Sequence, residues 1–303
     1  MREDRPSSTA TLIAAATVLL ARDARVADLV PLGAAERCAG YLESASPLYA
    51  KAVRALSRPA LRWAAQFAER ATVPGLLLHF ILRKRWIGEA VRAALVEGCE
   101  QVVVVGAGFD ALAPRLSNEF PRASFIEIDH PATQARKRLA VERSGNLHLI
   151  AADLARDRLQ DALSAGGAYR PEAPSIFVIE GLLMYLTDPE VVAVFAAVRA
   201  LQRAGGRVVF TVMEPAPDGR PAFHNATPLV TRLLARWREP FKSALPRDEA
   251  PAFLDALGFR FRELADSETL RKRYLAPSGR EALALARGEM MVLAECLPAR
   301  PSA

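Results

Sequence analysis

A chain of 303 residues, 51% of them hydrophobic, can bury a sizeable core as one large domain or two small ones. Charged residues make up 24%, and no bias marks disorder, a collagen-like repeat or an internal array. The net charge of +6 comes from arginines spread along the chain, with only five lysines, so a nucleic-acid stripe is not expected. The tight basic clusters Arg83-Lys84-Arg85, Arg136-Lys137-Arg138 and Arg271-Lys272-Arg273 read as solvated helix faces. Cys38, Cys99 and Cys296 are far apart and form no CxxC pair, which points to a reducing, cytoplasmic setting without a zinc site or disulfide framework. The four histidines show no metal-ligand spacing, so no metal is expected. Residues 10–21 are apolar, but they are short and follow the charge-mixed Arg2-Glu3-Asp4-Arg5. They read as a buried helix, not as an export signal or a membrane span.

Residues 1–98 carry apolar positions at helical spacing, with helices expected over 10–25, 34–42, around 47–58, over 60–70 and over 76–97. Ser7-Ser8-Thr9 is a plausible first cap and Gly98 a C-terminal stop. At Gln101 the texture changes to Val-Val-Val-Val105, a continuous β-branched run of the kind buried on both faces of a parallel sheet. Gly106-Ala107-Gly108 follows, then a helix over 109–118. Further strands are expected over 124–128, 147–150, 175–179 and 207–212, with helices over 132–144 and 189–201 between them. Residues 215–246 are loop-rich, with Pro215, Pro217, Pro221, Pro228 and Pro240 before Pro246 and one helix over 227–237. A helix over 249–257 and strands over 259–264 and 290–296 close the pattern. Alternating strands and helices imply a doubly wound, Rossmann-like α/β sheet of seven strands. An N-terminal helical cap and a loop and helix insertion after the fifth strand complete it. The expected divisions are 1–98 as cap, 99–214 as core, 215–248 as insertion and 249–303 as the completing helix and strand pair.

Ligands of such sheets sit at the carboxyl ends of the strands. The first four strands end in the glycine loop, Asp129, Asp153 and Glu180. A glycine loop between strand and helix lets backbone approach a ligand closely, the alternative being a tight turn with no ligand. Asp129 can accept both ribose hydroxyls of a nucleoside, or cap the helix that begins at His130-Pro131. Asp153 can accept from an exocyclic amine while Leu154 packs on a ring, or simply close a surface turn. Glu180 follows four apolar residues, and a carboxylate at that mouth needs a donor, either a ligand amine or an internal arginine. An arginine fork such as that of Arg83 suits a carboxylate, though alone in a helix it reads as exposed.

Gln101 to Asp110 with Arg115-Leu116 resembles the first motif of the leucine carboxyl methyltransferase family, within the class I S-adenosylmethionine-dependent methyltransferases. Ile126-Glu-Ile-Asp-His-Pro131 with Lys137 is similar to its second motif, and Glu180-Gly-Leu-Leu-Met-Tyr-Leu186 to its fourth. Ser8-Thr9-Ala10 and Arg83-Lys84-Arg85 also match, so the likeness covers nearly the whole chain. The resemblance implies S-adenosyl-L-methionine as cofactor. Arg83 would hold its carboxylate, and Gly106, Ala107 and Gly108 would lie beneath it. Asp129 and His130 would meet the ribose, Asp153 and Leu154 the adenine, and Glu180 and Gly181 the amino group. It further implies O-methylation of a carboxylate or hydroxyl on a small, polyketide-like secondary metabolite, with no nucleic-acid or membrane partner.

Three positions depart from the family pattern. Leu112 stands where an arginine is frequent, Gly88-Glu89 where acids are common, and Glu214 where an aspartate is usual. These changes bear on the acceptor. A carboxylate acceptor is already ionised and needs no base. A hydroxyl would be helped by one, and Tyr185 and His224 are the nearest candidates. Met213, Phe223, Trp237 and Phe241 could line an acceptor pocket or form the core of the cap. Two rival readings are a catalytically silent cofactor-binding protein and a nicotinamide-dependent dehydrogenase. The dehydrogenase shares the loop and Asp129, and leaves Asp153, Glu180 and the Tyr185-Leu186 motif without a role.

Overall fold

The structure is a computed structural model, and it describes residues 8–56, 58–142, 144–202, 205–227 and 241–298. The strands are β1 (Gln101–Val105), β2 (Ser124–Asp129), β3 (Leu147–Ala151), β4 (Ser175–Ile179), β5 (Arg207–Met213), β6 (Phe259–Ala265) and β7 (Glu289–Cys296). They form one sheet in the order β3-β2-β1-β4-β5-β7-β6. β1 to β5 pair in parallel, whereas β7 runs antiparallel to both β5 and β6. The seven-stranded, doubly wound sheet expected from the strand pattern is therefore present.

Five helices precede the sheet: α1 (Ser8–Leu20), α2 (Ala34–Ala45), α3 (Pro47–Ala55), α4 (Pro59–Arg70) and α5 (Leu76–Val96). Within and after it come α6 (Leu112–Glu119), α7 (Pro131–Lys137), α8 (Leu159–Gly166), α9 (Asp188–Leu201) and α10 (Ala250–Ala256). Successive residues of β1 feed opposite faces, as the period-2 geometry of a strand requires. Val102 and Val104 join the core against α5, with Ile81, Trp86 and Val91. Val103 and Val105 join the core on the other face, with Leu163 of α8 and Phe195 of α9. Phe195 meets Phe210, Phe253 and Phe259 edge-on at 5.0, 5.7 and 5.8 Å, locking α9 and α10 onto the sheet. The fully buried rings of Phe195, Phe210 and Phe259 each contribute about 1.5–3 kcal/mol by burial alone. Among the described residues, no helix is long and apolar enough to cross a membrane.

Several expectations are corrected. The helix after the glycine loop begins at Leu112, because the Asp110 carboxylate takes the Leu112 N–H at 2.6 Å and the chain stays in a turn before it. The helix expected over 132–144 is only α7, ending where Lys137 turns its ammonium inward. α8 had no counterpart in the sequence pattern, since its short span buries only Leu159, Ala162 and Leu163. Two basic clusters are not solvated faces. Arg83 and Lys137 are buried in ion pairs, and Lys84 is largely so. α4 is inverted: Gln66 and Glu69 bond to Asp23 and the Leu77 N–H, while Trp63 and Phe67 stack at 5.7 Å on the exposed side. The helix expected over 227–237 falls almost wholly on 228–240, outside the described residues.

Candidate active site

The site begins with the turn that leaves β1. Gly106 and Gly108 have φ of 71° and 51°, the left-handed region that glycine enters without a steric penalty. A Cβ on Gly106 would lie 3.4 Å from Leu182, and one on Gly108 would lie 3.0 Å from the Ala10 methyl. α1 thus crosses directly over the loop. Thr9 of α1 reaches further, with Oγ1 at 3.4 Å from the Tyr185 hydroxyl.

Asp129 ends β2 and fixes the loop from below. Its Oδ2 accepts the Gly108 N–H at 2.6 Å, and its Oδ1 accepts the His130 N–H at 2.7 Å. Burial pushes its carboxyl above the usual range, against the pull of the two N–H donors. His130 caps α7, its Nδ1 accepting the Ala132 N–H at 3.3 Å, which leaves the ring proton on Nε2 when the imidazole is neutral. Of the two readings of Asp129, the helix cap falls to His130, whereas Asp129 organises the backbone of the loop and lines the cleft. Asp153 likewise closes a turn, accepting the Ala155 N–H at 3.2 Å, while Arg156 stands 3.7 Å away.

Glu180 leaves β4 into a buried ion network. Its Oε1 receives Arg83 Nη2 at 2.7 Å, Arg83 Nε at 2.9 Å and Lys84 Nζ at 3.0 Å. Arg83 Nη1 also contacts both oxygens of Glu289, at 2.7 and 3.0 Å, and His79 Nε2 is 2.9 Å from Glu289 Oε2. Lys84 Nζ further pairs with Asp110 Oδ2. At Arg83, Lys84, Asp110 and Glu289 burial works against the charge, and partners outweigh it. Arg83 holds Glu289 down at about 2, and Asp110 and Glu180 hold Lys84 up at about 12. Sequence reasoning missed Lys84, Asp110 and Glu289. Glu289 was findable as the one acid opening the apolar run Met290-Met291-Val292.

The glycine loop and the strand-end acids Asp129, Asp153 and Glu180 open on one cleft of about 1270 Å³, above the 300–1,000 Å³ common for a single small ligand. Arg83, Gly106, Ala107, Gly108, Asp129, His130, Asp153, Leu154, Glu180, Gly181 and Tyr185 all line it. His224 does not: it is exposed, with Nε2 at 3.2 Å from the Glu214 carbonyl. Met213, Phe223 and Phe241 are also absent from the lining, and Trp237 lies outside the described residues. Met213 is core, and Phe241 packs between Phe223 and Tyr185 at 5.9 and 5.6 Å.

The residues fit the amino-acid end of S-adenosylmethionine on two observations. Arg83 Nη2, although close to Glu180, is buried and poorly directed toward it, so it retains an unsatisfied N–H for a carboxylate. Gly181, with φ of 64°, would carry a Cβ only 3.8 Å from that nitrogen, and its absence keeps the approach open.

The strand order, the antiparallel β7, the glycine loop and the strand-end acids define the class I S-adenosylmethionine-dependent methyltransferase fold. The chain belongs to the leucine carboxyl methyltransferase family, whose pattern it matches over residues 18–199. A Parafrankia protein provisionally named an S-adenosyl-L-methionine-dependent methyltransferase is 28% identical over 205 residues, 66% of this chain and 63% of that protein. A Mycolicibacterium paratuberculosis protein of the same provisional name is 32% identical over 217 residues, 68% of this chain and 66% of its own. The chain thus spans just under two thirds of the length of these relatives. A crystal structure from Thermobifida fusca, provisionally named a methyltransferase, shares the fold with a TM-score of 0.56 at 17% identity, covering 86% of this chain and 94% of that one.

Proposed function

We propose that the protein binds S-adenosylmethionine and methylates an oxygen, carboxylate or hydroxyl, of a small organic acceptor of the kind made in secondary metabolism. The observation that carries this reading is the convergence of every residue expected to hold the cofactor on one cleft. Family membership supports it, since the family takes its name from carboxyl methylation. The cofactor, when bound, supplies an electrophilic methyl group on a sulfonium.

The protein's part is alignment and exclusion of water. Glu180 and Arg83 would hold the amino and carboxylate ends, Asp129 the ribose, and Asp153 with Leu154 the adenine. For a carboxylate acceptor no proton need move. For a hydroxyl acceptor the candidate base within the cleft is Tyr185, whose hydroxyl stands against Thr9. His224 has no geometric support for that part.

Calorimetry with S-adenosylhomocysteine is the first test, with micromolar binding expected, and its absence would remove the reading. Mass spectrometry of candidate acids and phenols incubated with cofactor then separates an enzyme from a silent binder. A mass gain of one methyl on an oxygen is the expected result.

A further inference from the structure

Arg83 and Lys84 are consecutive on α5, yet both direct their charge to a single oxygen of Glu180. Arg83 Nη2, Arg83 Nε and Lys84 Nζ lie 2.7, 2.9 and 3.0 Å from Oε1, and none of these contacts uses Oε2. An arginine facing a carboxylate alone favours the two-pronged pairing that engages both oxygens. A second cation on Oε1 opposes that arrangement. Each cation is also anchored at its far side, Arg83 by Glu289 and Lys84 by Asp110. Asp110 is itself fixed through Oδ1 to the Leu112 N–H, two residues past the glycine loop. The lysine is therefore a strut between the turn that precedes α6 and the acid that follows β4. It is 13% exposed and lines the cleft. The cations of Arg83 and Lys84 face three carboxylates in this network, those of Glu180, Glu289 and Asp110.

We infer that Lys84 is a positioning residue for the cofactor's amino-acid end, holding Glu180 by Oε1 so that Oε2 is presented to the ammonium and Arg83 Nη2 to the carboxylate. This rests on the proposed cofactor. Lys84 acts through Glu180, so its removal affects ligands that possess the amino-acid end and spares those that lack it.

The experiment compares S-adenosylhomocysteine with 5′-methylthioadenosine, which has the nucleoside and sulfur without the amino acid, by calorimetry on the full chain. Lys84→Met should lower affinity for the first at least about tenfold, the scale of one charge-assisted hydrogen bond, and leave the second unchanged. Lys84→Arg should restore most of the preference. If Lys84→Met does not melt cooperatively, Lys84→Gln, which can still donate to Asp110, is read by the same ratio. Equal loss of both ligands, or unchanged affinity for both, overturns the assignment. Wild-type protein that binds neither ligand overturns the cofactor reading instead.

Discussion

Gly88 of α5 faces Leu112 of α6: a Cβ built on Gly88 would lie 3.6 Å from Leu112 Cδ1. The resemblance read from the sequence implies an acid near the first position and an arginine at the second, so both depart from it. The two changes meet in space, and an aliphatic contact occupies ground where opposite charges could pair. Exchanging a buried ion pair for apolar packing is often neutral or stabilising, whereas losing one partner alone is not.

A reversal of one change should therefore be costly and a reversal of both less so. Leu112 is 4% exposed, so Leu112→Arg alone should cost about 3–5 kcal/mol through a buried, unpaired guanidinium. Adding Gly88→Asp should recover at least ~1 kcal/mol relative to the sum of the single changes. Urea unfolding of the four proteins gives the cycle. Strictly additive costs would mean that the two departures are independent.

Two glycines of α5, one at its N-cap and one in its interior, should respond with opposite sign. Gly88 lies in the helix interior with ordinary φ, and its Cβ would make only van der Waals contacts at 3.6 and 3.9 Å. Gly88→Ala should stabilise by about 0.5–1 kcal/mol through helix propensity. Gly75, which precedes α5, has φ of 79° and would drive a Cβ to 2.3 Å from the Ala284 backbone. Gly75→Ala should destabilise by more than about 1 kcal/mol. Thermal melts of both variants check the pair, and a shared direction would contradict the argument.

What the sequence reveals about this site depends on how local each cause is. The run Gln101–Val105 announces a doubly buried strand because its own residue types record both faces. Asp129 is legible from its place after an apolar run and before His130-Pro131. The burial of Arg83 is not legible, because its partners Glu180 and Glu289 lie 97 and 206 residues away. A helix written Arg-Lys-Arg looks solvated until the strands that receive it are folded. His224 failed as a cleft residue for a similar reason. Its loop is held by long-range bonds, its own N–H to the Arg287 carbonyl and the Asn225 amide to Pro74, which local composition does not encode.

Tyr41 offers a test of an unsatisfied group. Its side chain is fully buried and, among the described residues, its hydroxyl has no hydrogen-bond partner. Burial pushes its phenol far above the usual range, so it stays neutral. Tyr41→Phe removes the stranded hydroxyl and retains the ring, which lies 5.2 Å from Lys137 Nζ and 6.2 Å from Phe109. Stability should be unchanged or rise by up to about 1 kcal/mol. A loss above that size would reveal a partner for the oxygen.

The Glu127–Lys137 pair gives a pH dependence whose sign can be worked out. The two side chains are wholly buried and 2.7 Å apart. Burial raises the Glu127 carboxyl from 4.5 to about 7, and Lys137 opposes that shift without cancelling it. A raised folded value means that the folded state holds the proton more tightly than the unfolded chain. The stabilising contribution is therefore complete below about pH 4.5 and is lost as pH rises through about 7. Replacing the cation sharpens this dependence. At pH 8, Lys137→Met removes the cation that holds Glu127 ionised, so the buried carboxyl takes up a proton, which costs about 1.4 kcal/mol at one pH unit above 7. At pH 5 the carboxyl is already protonated in the folded state, so the cost of the substitution should be smaller there by about that amount. Denaturant unfolding at the two pH values measures the difference, and an equal cost at both would mean that Glu127 does not titrate in this window.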